Sequence, residues 1–188
     1  MREVPVPAMP VQRFESLIGP SRTQEFTDVL DRARRRMSGR TLWIVNSTAQ
    51  GGGVAEMLSS ILSYLVGHVS TRWLVLEESD EFFEVTKRVH HLLHGDPGAG
   101  IELSQQDRAT FEKSVRNDRK ELVETVGPGD PVILHDPQTL SLLPALAERG
   151  AAVIWTCHVG PTGSLEGAHC LPADGGRGGE RRDCQRLA

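Results

Sequence analysis

Four short apolar runs in this 188-residue chain end in polar side chains of the types that bind or transform ligands. The residues at these four ends are Asn46-Ser47-Thr48, Glu77-Glu78, His135-Asp136-Pro137-Gln138 and Thr156-Cys157-His158. If the runs are parallel strands of one sheet, their carboxyl ends meet at one edge, which is where open α/β sheets bind ligands. We therefore expect these polar residues to converge on one site.

A glycine cluster, Gly51-Gly52-Gly53, follows the first of these ends and precedes an amphipathic helix. Glycines let the backbone approach a ligand closely, and a helix N-terminus presents unbonded N–H groups with positive partial charge. An anion such as a phosphate or diphosphate is the expected ligand. A flexible turn is the alternative. The cluster is not a P-loop, because no Gly-Lys-Ser/Thr follows it.

The same cluster partly matches the dinucleotide fingerprint G-x-G-x-x-G. Gly51 and Gly53 fit its first two glycines, and Glu77 lies near the end of the second strand, where a ribose partner is expected. Glu56 stands in the third glycine position, where a bulky charged side chain opposes close packing. An NAD(P)-dependent Rossmann oxidoreductase therefore stays open as an alternative function.

Two further pairs of residues have spacings that could support other chemistry. Cys157 and His158 are neighbours, but adjacent strand residues point to opposite faces, so they do not form a nucleophile–base pair. We expect Cys157 to lie in the core as a small apolar residue. His158 is compatible with either ligand contact or a structural role. His90 and His94 have the spacing of a zinc pair on a helix, but no third ligand is obvious, and we expect no metal site.

Alternating strands and helices must position these residues. Apolar runs at 41–45, 72–76, 131–134 and 151–155 have the length and composition of buried strands. Helical periodicity predicts helices over 23–38, 54–65, 80–94, 104–126 and from 140 to 150. The alternation indicates an α/β fold, a Rossmann-like doubly wound parallel sheet.

Changes in composition divide the chain into three parts. We expect an N-terminal arm over residues 1–22, a Rossmann-like domain over 23–160 and an irregular tail over 161–188. The tail has no hydrophobic period, which predicts a disordered or aberrant segment. The domain stops after four strand–helix units, although doubly wound sheets usually have five or six strands, so we expect a truncation or a frameshift.

Overall composition excludes several classes of protein. The net charge of −4 argues against a nucleic-acid-binding protein. No stretch of 18 apolar residues is present, so we expect no membrane span and no membrane partner. The three cysteines do not form a disulfide framework, and no secretory signal precedes the domain, so a cytoplasmic location is expected.

The segment 45–58, which contains the glycine cluster, closely resembles the retaining glycosyltransferases that make or phosphorolyse trehalose. Further segments agree with this family in the same order along the chain. They are Phe14 to Gly19, Arg72-Trp73, Phe82-Phe83-Glu84-Val85-Thr86-Lys87 with His90 following, His135-Asp136-Pro137-Gln138 and Trp155 to His158. The resemblance covers residues 14 to 159.

This resemblance implies the N-terminal, acceptor-side half of a GT-B glycosyltransferase, in which two Rossmann-like domains face a cleft. It implies that Gly51, Gly52 and Gly53 approach the donor diphosphate and that His158 and Asp136 are catalytic, with His158 contacting the transferred glucose. It further implies sugar-binding roles for Lys87, His135 and Gln138. The implied reaction moves glucose from a nucleotide sugar, such as UDP-glucose or ADP-glucose, to glucose with retention, without a metal or another cofactor.

The chain also departs from the family pattern. Thr156, His91 and His94 stand where the family has arginine, asparagine and glutamine, and losing a guanidinium removes a bidentate anion contact. We therefore expect little or no activity from this chain alone. A homo-oligomer or a separately encoded C-terminal domain is the expected protein partner, and a non-catalytic sugar-binding module is a further alternative.

Overall fold

The computed structural model describes residues 1–93 and 103–158. The predicted tail at 161–188 and His94 therefore lie outside the described residues. Within them the chain forms an α/β domain whose helices cover both faces of one sheet. The prediction of an α/β fold with a parallel, Rossmann-like sheet is confirmed.

The sheet has five strands in the order β1-β3-β2-β4-β5. The strands are β1 (Arg2–Glu3), β2 (Leu42–Asn46), β3 (Thr71–Val75), β4 (Pro131–His135) and β5 (Ala152–Thr156). The last four are parallel, whereas β1 adds an antiparallel edge beside β3. The chain winds from β2 outward to β3 and then returns to β4 on the other side of β2. The carboxyl ends of β2 and β4 therefore flank the switch point at which such sheets bind ligands.

Seven α-helices are present in the described ranges, together with 3₁₀ turns at Val11–Phe14 and Leu140–Leu142. The helices are α1 (Glu15–Arg36), α2 (Gly53–Leu65), α3 (Asp80–Leu93), α4 (Gln105–Ser114), α5 (Arg116–Thr125), α6 (Asp136–Thr139) and α7 (Leu143–Glu148). Residues alternate between the two faces of the sheet along β2. Trp43 and Val45 pack under α3, α5 and α7, whereas Ile44 packs under α2. This two-sided burial explains why the strand sequence is continuously apolar.

The predicted start of the first helix at residue 23 is wrong, because α1 begins at Glu15. Gly19 is non-helical (φ 81°, ψ 163°) and Pro20 follows it, so α1 consists of two helical segments joined at a kink. A left-handed residue followed by proline normally ends a helix. Here the hydroxyl of Thr23 donates to the carbonyl oxygen of Gly19 (2.9 Å), which ties the second segment to the kink.

The single helix predicted over 104–126 is also wrong, because α4 and α5 meet at a turn around Val115 (φ −75°, ψ 5°). The predicted N-cap at Ser104 is confirmed, and Asp107 completes a capping box. The change of direction lets Phe111 of α4 stack on Phe82 of α3, with ring centroids 5.5 Å apart. It also leaves Val115 fully buried in the core. Tertiary packing therefore interrupts a helix that local periodicity alone would continue.

Candidate functional site

A cleft of about 350 Å³ opens at the carboxyl ends of the parallel strands. Its lining residues come from α2, α3, α6 and the segment after β5, and they are Gly53, Val54, Met57, His90, Asp136, Gln138 and His158. The cleft therefore brings together Asp136 and Gln138 from the end of β4, His158 from the end of β5 and Gly53 of the glycine cluster, whereas Asn46-Ser47-Thr48 at the end of β2 are not among its lining residues. It lies at the switch point between β2 and β4, where the fold favours ligand binding.

The glycine cluster reaches this cleft through Gly53, which is one of its lining residues. Gly51 has a left-handed backbone (φ 80°), and Gly52 is the extended N-cap residue of α2. All three glycines are exposed, and a Cβ built on any of them meets no described atom within 4 Å. None of the described side chains caps α2, so its first-turn N–H groups stay available to an anion.

Asn46 fixes the strand end from which the glycine loop departs. Its side chain is buried, its Oδ1 accepts from Trp73 Nε1 (2.6 Å), and its Nδ2 donates to the carbonyl oxygen of Thr48 (2.6 Å). Both polar atoms of the Asn46 side chain are therefore bonded within the fold. Asn46 therefore holds the loop, and the exposed backbone of the glycines faces solvent.

Asp136 follows β4 directly and has a left-handed backbone, with φ 66°. This conformation is unusual for a residue with a side chain and persists only when its surroundings hold it. Its carbonyl oxygen accepts from Trp155 Nε1 (3.0 Å) and from Thr139 Oγ1 (3.1 Å). Its carboxylate accepts from the backbone N–H of His158 (2.7 Å). Asp136 thus joins β4, α6 and the end of β5 beside the cleft.

The imidazole rings of His135 and His158 are in direct contact. His135 Nδ1 lies 2.9 Å from His158 Nε2. His135 is 5% exposed, whereas His158 is exposed at the cleft. Burial lowers the pKa of His135, the electrostatic effect of the neighbouring His158 ring lowers it further, and Asp136 opposes the shift. His135 is therefore a neutral, buried ring that backs an exposed one.

The prediction that Cys157 lies in the core is wrong, because its side chain is exposed. β5 ends at Thr156 and is the outermost described strand, with Ile154 57% exposed. A residue one step past the end of an edge strand has no second layer over it. The apolar character of cysteine therefore does not determine its burial here.

Lys87 and His90 occupy different positions relative to the cleft. Lys87 is exposed on α3 and is not among the lining residues, whereas His90, three residues later, lines the cleft. The sequence offered His90 as one half of a zinc pair and as part of the segment that resembles the family, without a site role. Its spacing from Lys87 on the same helix was the signal available. Among the described residues, no cluster of three or more His, Cys, Asp or Glu side chains could hold a metal ion.

The two glutamates at the end of β3 are not among the residues lining the cleft. Glu78 instead lines a separate cavity of about 420 Å³ beside α4. Burial raises the pKa of Glu78 to about 7, and the negative charge of Asp118 adds to this effect. Ionising a carboxyl group in this environment lowers the stability of the folded state.

Replacing Glu78 by glutamine should therefore stabilise the protein above neutral pH. The folded-state pKa exceeds the unfolded value of 4.5, so the folded protein binds the extra proton and loses stability as pH rises from about 4.5 to about 7. We expect E78Q to be more stable by about 1 kcal/mol at pH 8, well below the full value of the shift because solvent reaches the group. Urea unfolding at pH 5 and pH 8 measures this. Glu77→Gln removes the same charge next door and is the control; equal pH profiles for E78Q and wild type would contradict the argument.

None of the helices in the described ranges is long and apolar enough to cross a membrane.

The model of the trehalose synthase N-terminal domain family matches residues 44–169, which is more than half of the chain. Trehalose synthase from Pyrococcus horikoshii is 31% identical over 151 residues, covering 79% of this chain and 34% of that protein. Trehalose synthase from Rubrobacter xylanophilus is 34% identical over 132 residues, covering 66% and 30%.

Trehalose phosphorylase from Pleurotus pulmonarius is 32% identical over 107 residues, covering 54% of this chain and 14% of that protein. The chain therefore spans about a third of the length of the trehalose synthases that it matches. The matched region includes every strand from β3 to β5, the glycine loop and all the residues that line the cleft. This chain belongs to the trehalose synthase N-terminal domain family.

Proposed function

We propose that this chain supplies the acceptor-side domain of a glycosyltransferase that moves glucose from a nucleotide sugar to glucose with retention, giving α,α-trehalose. The observation that carries the proposal is the cleft, where an open glycine loop and polar side chains from two further strand ends meet. The trehalose synthases and phosphorylases among its relatives support a trehalose-related reaction. The GT-B arrangement of two domains facing one cleft is part of the same proposal.

Residues of this chain would contact both sides of the bond that breaks, which are the leaving diphosphate and the transferred glucose. The N–H groups at Gly51, Gly52 and Gly53 would receive the leaving diphosphate, since preorganised donors stabilise charge that develops in a transition state. His158, Asp136 and Gln138 would hold the transferred glucose, the first two as catalytic residues.

Lys87 would bind sugar from outside the described cleft. Backbone N–H groups would stabilise the leaving diphosphate without a metal or other cofactor. The donor, UDP-glucose or ADP-glucose, would be a substrate.

Turnover would require a second domain that holds the nucleotide. The matched trehalose synthases are about three times as long as their aligned segment, and none of the roles assigned to the described residues holds the nucleotide moiety. We propose that these 188 residues alone bind sugar without catalysing transfer, and that a second domain or a second copy of the chain completes the site.

The test combines binding and turnover on the 188-residue protein. Amide signals are followed by NMR during separate titrations with glucose, trehalose, UDP-glucose and NADH. We expect glucose and UDP-glucose to shift the signals of Gly53, Asp136 and His158, and NADH to leave them in place. Shifts with NADH alone would favour the oxidoreductase alternative and overturn the proposal.

A turnover assay addresses the need for a second domain. The chain is incubated with UDP-glucose and glucose, and then with ADP-glucose and glucose, and trehalose is measured by chromatography. We expect none above the blank. Trehalose formed by the purified chain would show that no second domain is required.

A further inference from the structure

The contact between His135 and His158 has the geometry of an in-plane hydrogen bond. The two rings are tilted by only 19°, and their centroids are 5.1 Å apart. This separation exceeds the 2.9 Å between Nδ1 and Nε2 by about two ring radii, so the rings lie edge to edge and do not overlap face to face. An N–H on one ring therefore points along the ring plane at the lone pair of the other, which is the favoured alignment.

Only one proton can lie between the two nitrogens, and burial determines which ring carries it. His135 Nε2 is buried, and among the described residues no group bonds to it. A neutral imidazole has one N–H and one lone pair. If His135 carried its proton on Nε2, a buried donor would be left unbonded, which is rarer and more costly than an unbonded acceptor. The proton of His135 therefore belongs on Nδ1, from which it donates to His158 Nε2.

The charged surroundings agree with a neutral His135. Burial lowers the pKa of His135, so its ring stays uncharged near neutral pH. The carboxylate that faces the pair belongs to Asp136, and one of its oxygens already accepts from the backbone N–H of His158. His158 is thus held at its backbone by Asp136 and at its ring by His135.

We propose that His135 is a positioning residue that fixes the tautomer of His158, so that His158 offers a hydrogen-bond donor, Nδ1–H, to the ligand. Since His158 Nε2 accepts from His135, the neutral ring must carry its proton on Nδ1. The group recognised is therefore an acceptor oxygen, either a sugar hydroxyl or a diphosphate oxygen. This inference rests on the proposed function, and it moves His135 from a sugar-contacting to a supporting role.

The ligand-free tautomers are read first, from long-range ¹H–¹⁵N NMR spectra of the 188-residue protein at neutral pH. We expect His135 to show a protonated Nδ1 and an unprotonated Nε2, and His158 to show the same pattern. A protonated Nε2 on either ring would overturn the inference. This reading needs no sugar, so it is independent of whether the proposed function is right.

Two substitutions of His135 then separate positioning from packing. In His135→Asn the amide N–H takes the place of Nδ1–H, whereas His135→Leu fills similar space without a donor. We expect His158 to keep its Nδ1–H tautomer in H135N and to change to a mixture in H135L. Glucose affinity should fall about tenfold in H135L and by less in H135N, the loss typical of one hydrogen bond. An unchanged His158 tautomer in H135L would overturn the positioning role.

Separate titrations with glucose and with inorganic diphosphate identify the acceptor oxygen. A shift of the His158 Nδ1–H signal with glucose indicates a hydroxyl, and a shift with diphosphate indicates the leaving group. If the ligand-free tautomers are as expected but neither ligand shifts this signal, the donor role toward the ligand is overturned. If H135L does not fold, the wild-type tautomers still decide, because a protonated Nε2 on either ring would overturn the positioning role.

Discussion

Replacing Asp130 by alanine should lower the free energy of unfolding by about 3 kcal/mol, because it removes the acceptor of three hydrogen bonds. Asp130 is 9% exposed and lies in the turn before β4. Its Oδ2 accepts from Trp43 Nε1 (3.0 Å) and from the backbone N–H of Gly127 (3.0 Å). Its Oδ1 accepts from the backbone N–H of Thr41 (3.1 Å). The carboxylate thus ties the start of β2 to the start of β4, and its loss would leave buried donors without partners.

Two matched substitutions test this account by urea unfolding at pH 7. Asp130→Asn keeps one oxygen for the pair of donors at Oδ2 but places an amide opposite Thr41 N–H, so we expect about half of the loss seen in D130A. Trp43→Phe removes one donor while leaving the carboxylate with two. If D130N were as unstable as D130A, the negative charge itself, and not the count of accepted bonds, would be the stabilising feature.

The same residue predicts how stability changes in acid. Burial alone would raise the pKa of Asp130. The hydrogen bonds from Trp43, Thr41 and Gly127 together lower it by more than burial raises it, so the net shift is downward from 3.8. A depressed folded-state pKa gives stability that is present above the unfolded pKa and is lost as pH falls through the folded one. Wild type should therefore lose stability more steeply than D130A below about pH 4. Parallel acid profiles would contradict this assignment.

Sequence patterns predicted the four parallel strands well, most clearly β2, β3 and β4, whose residues pack on both faces of the sheet. A run such as 42–45 must then be apolar at every position, which is a signal that survives without knowledge of the partners. Helix ends were predicted less well. The break at Val115 depends on how Phe111 meets Phe82, and these residues are far apart in the sequence. Local periodicity therefore does not indicate that contact.

The candidate site was likewise predictable from the sequence only in part. The convergence of Asp136, Gln138 and His158 from the ends of β4 and β5 was predictable, because parallel strands place their carboxyl ends at one edge. The pairing of His135 with His158 was not, because it depends on register: His135 is opposite Thr156, so His158 follows two residues beyond the last pair. Asp130 was missed for a similar reason, since Trp43 lies 87 residues away from it in the chain. A single polar residue in a glycine-rich turn carries no sign of such a distant partner.

Substituting Gly53 by alanine should reduce binding of inorganic diphosphate at least tenfold while leaving the fold intact. Gly53 is the first residue of α2, and its backbone does not require glycine, because its φ is not positive. A Cβ there meets no described atom within 4 Å, so the fold has room for the methyl group. Gly53 also lines the cleft, so this methyl would occupy the space through which an anion approaches the N–H groups. The melting temperature should stay the same or rise slightly, since alanine favours helix more than glycine does.

Two further substitutions separate ligand approach from backbone strain. Gly51 and Gly39 both have left-handed backbones, with φ 80° and 76°, and both have open space around a built Cβ. Alanine at either position should destabilise the fold by about 1 kcal/mol. Gly39 follows α1 at the opposite edge of the sheet, so G39A should leave diphosphate binding unchanged, whereas G51A should weaken it by distorting the loop. Binding by G53A as tight as wild type would mean that the open glycine loop does not receive the anion, and the assignment of the cleft to a diphosphate-bearing donor would fail with it.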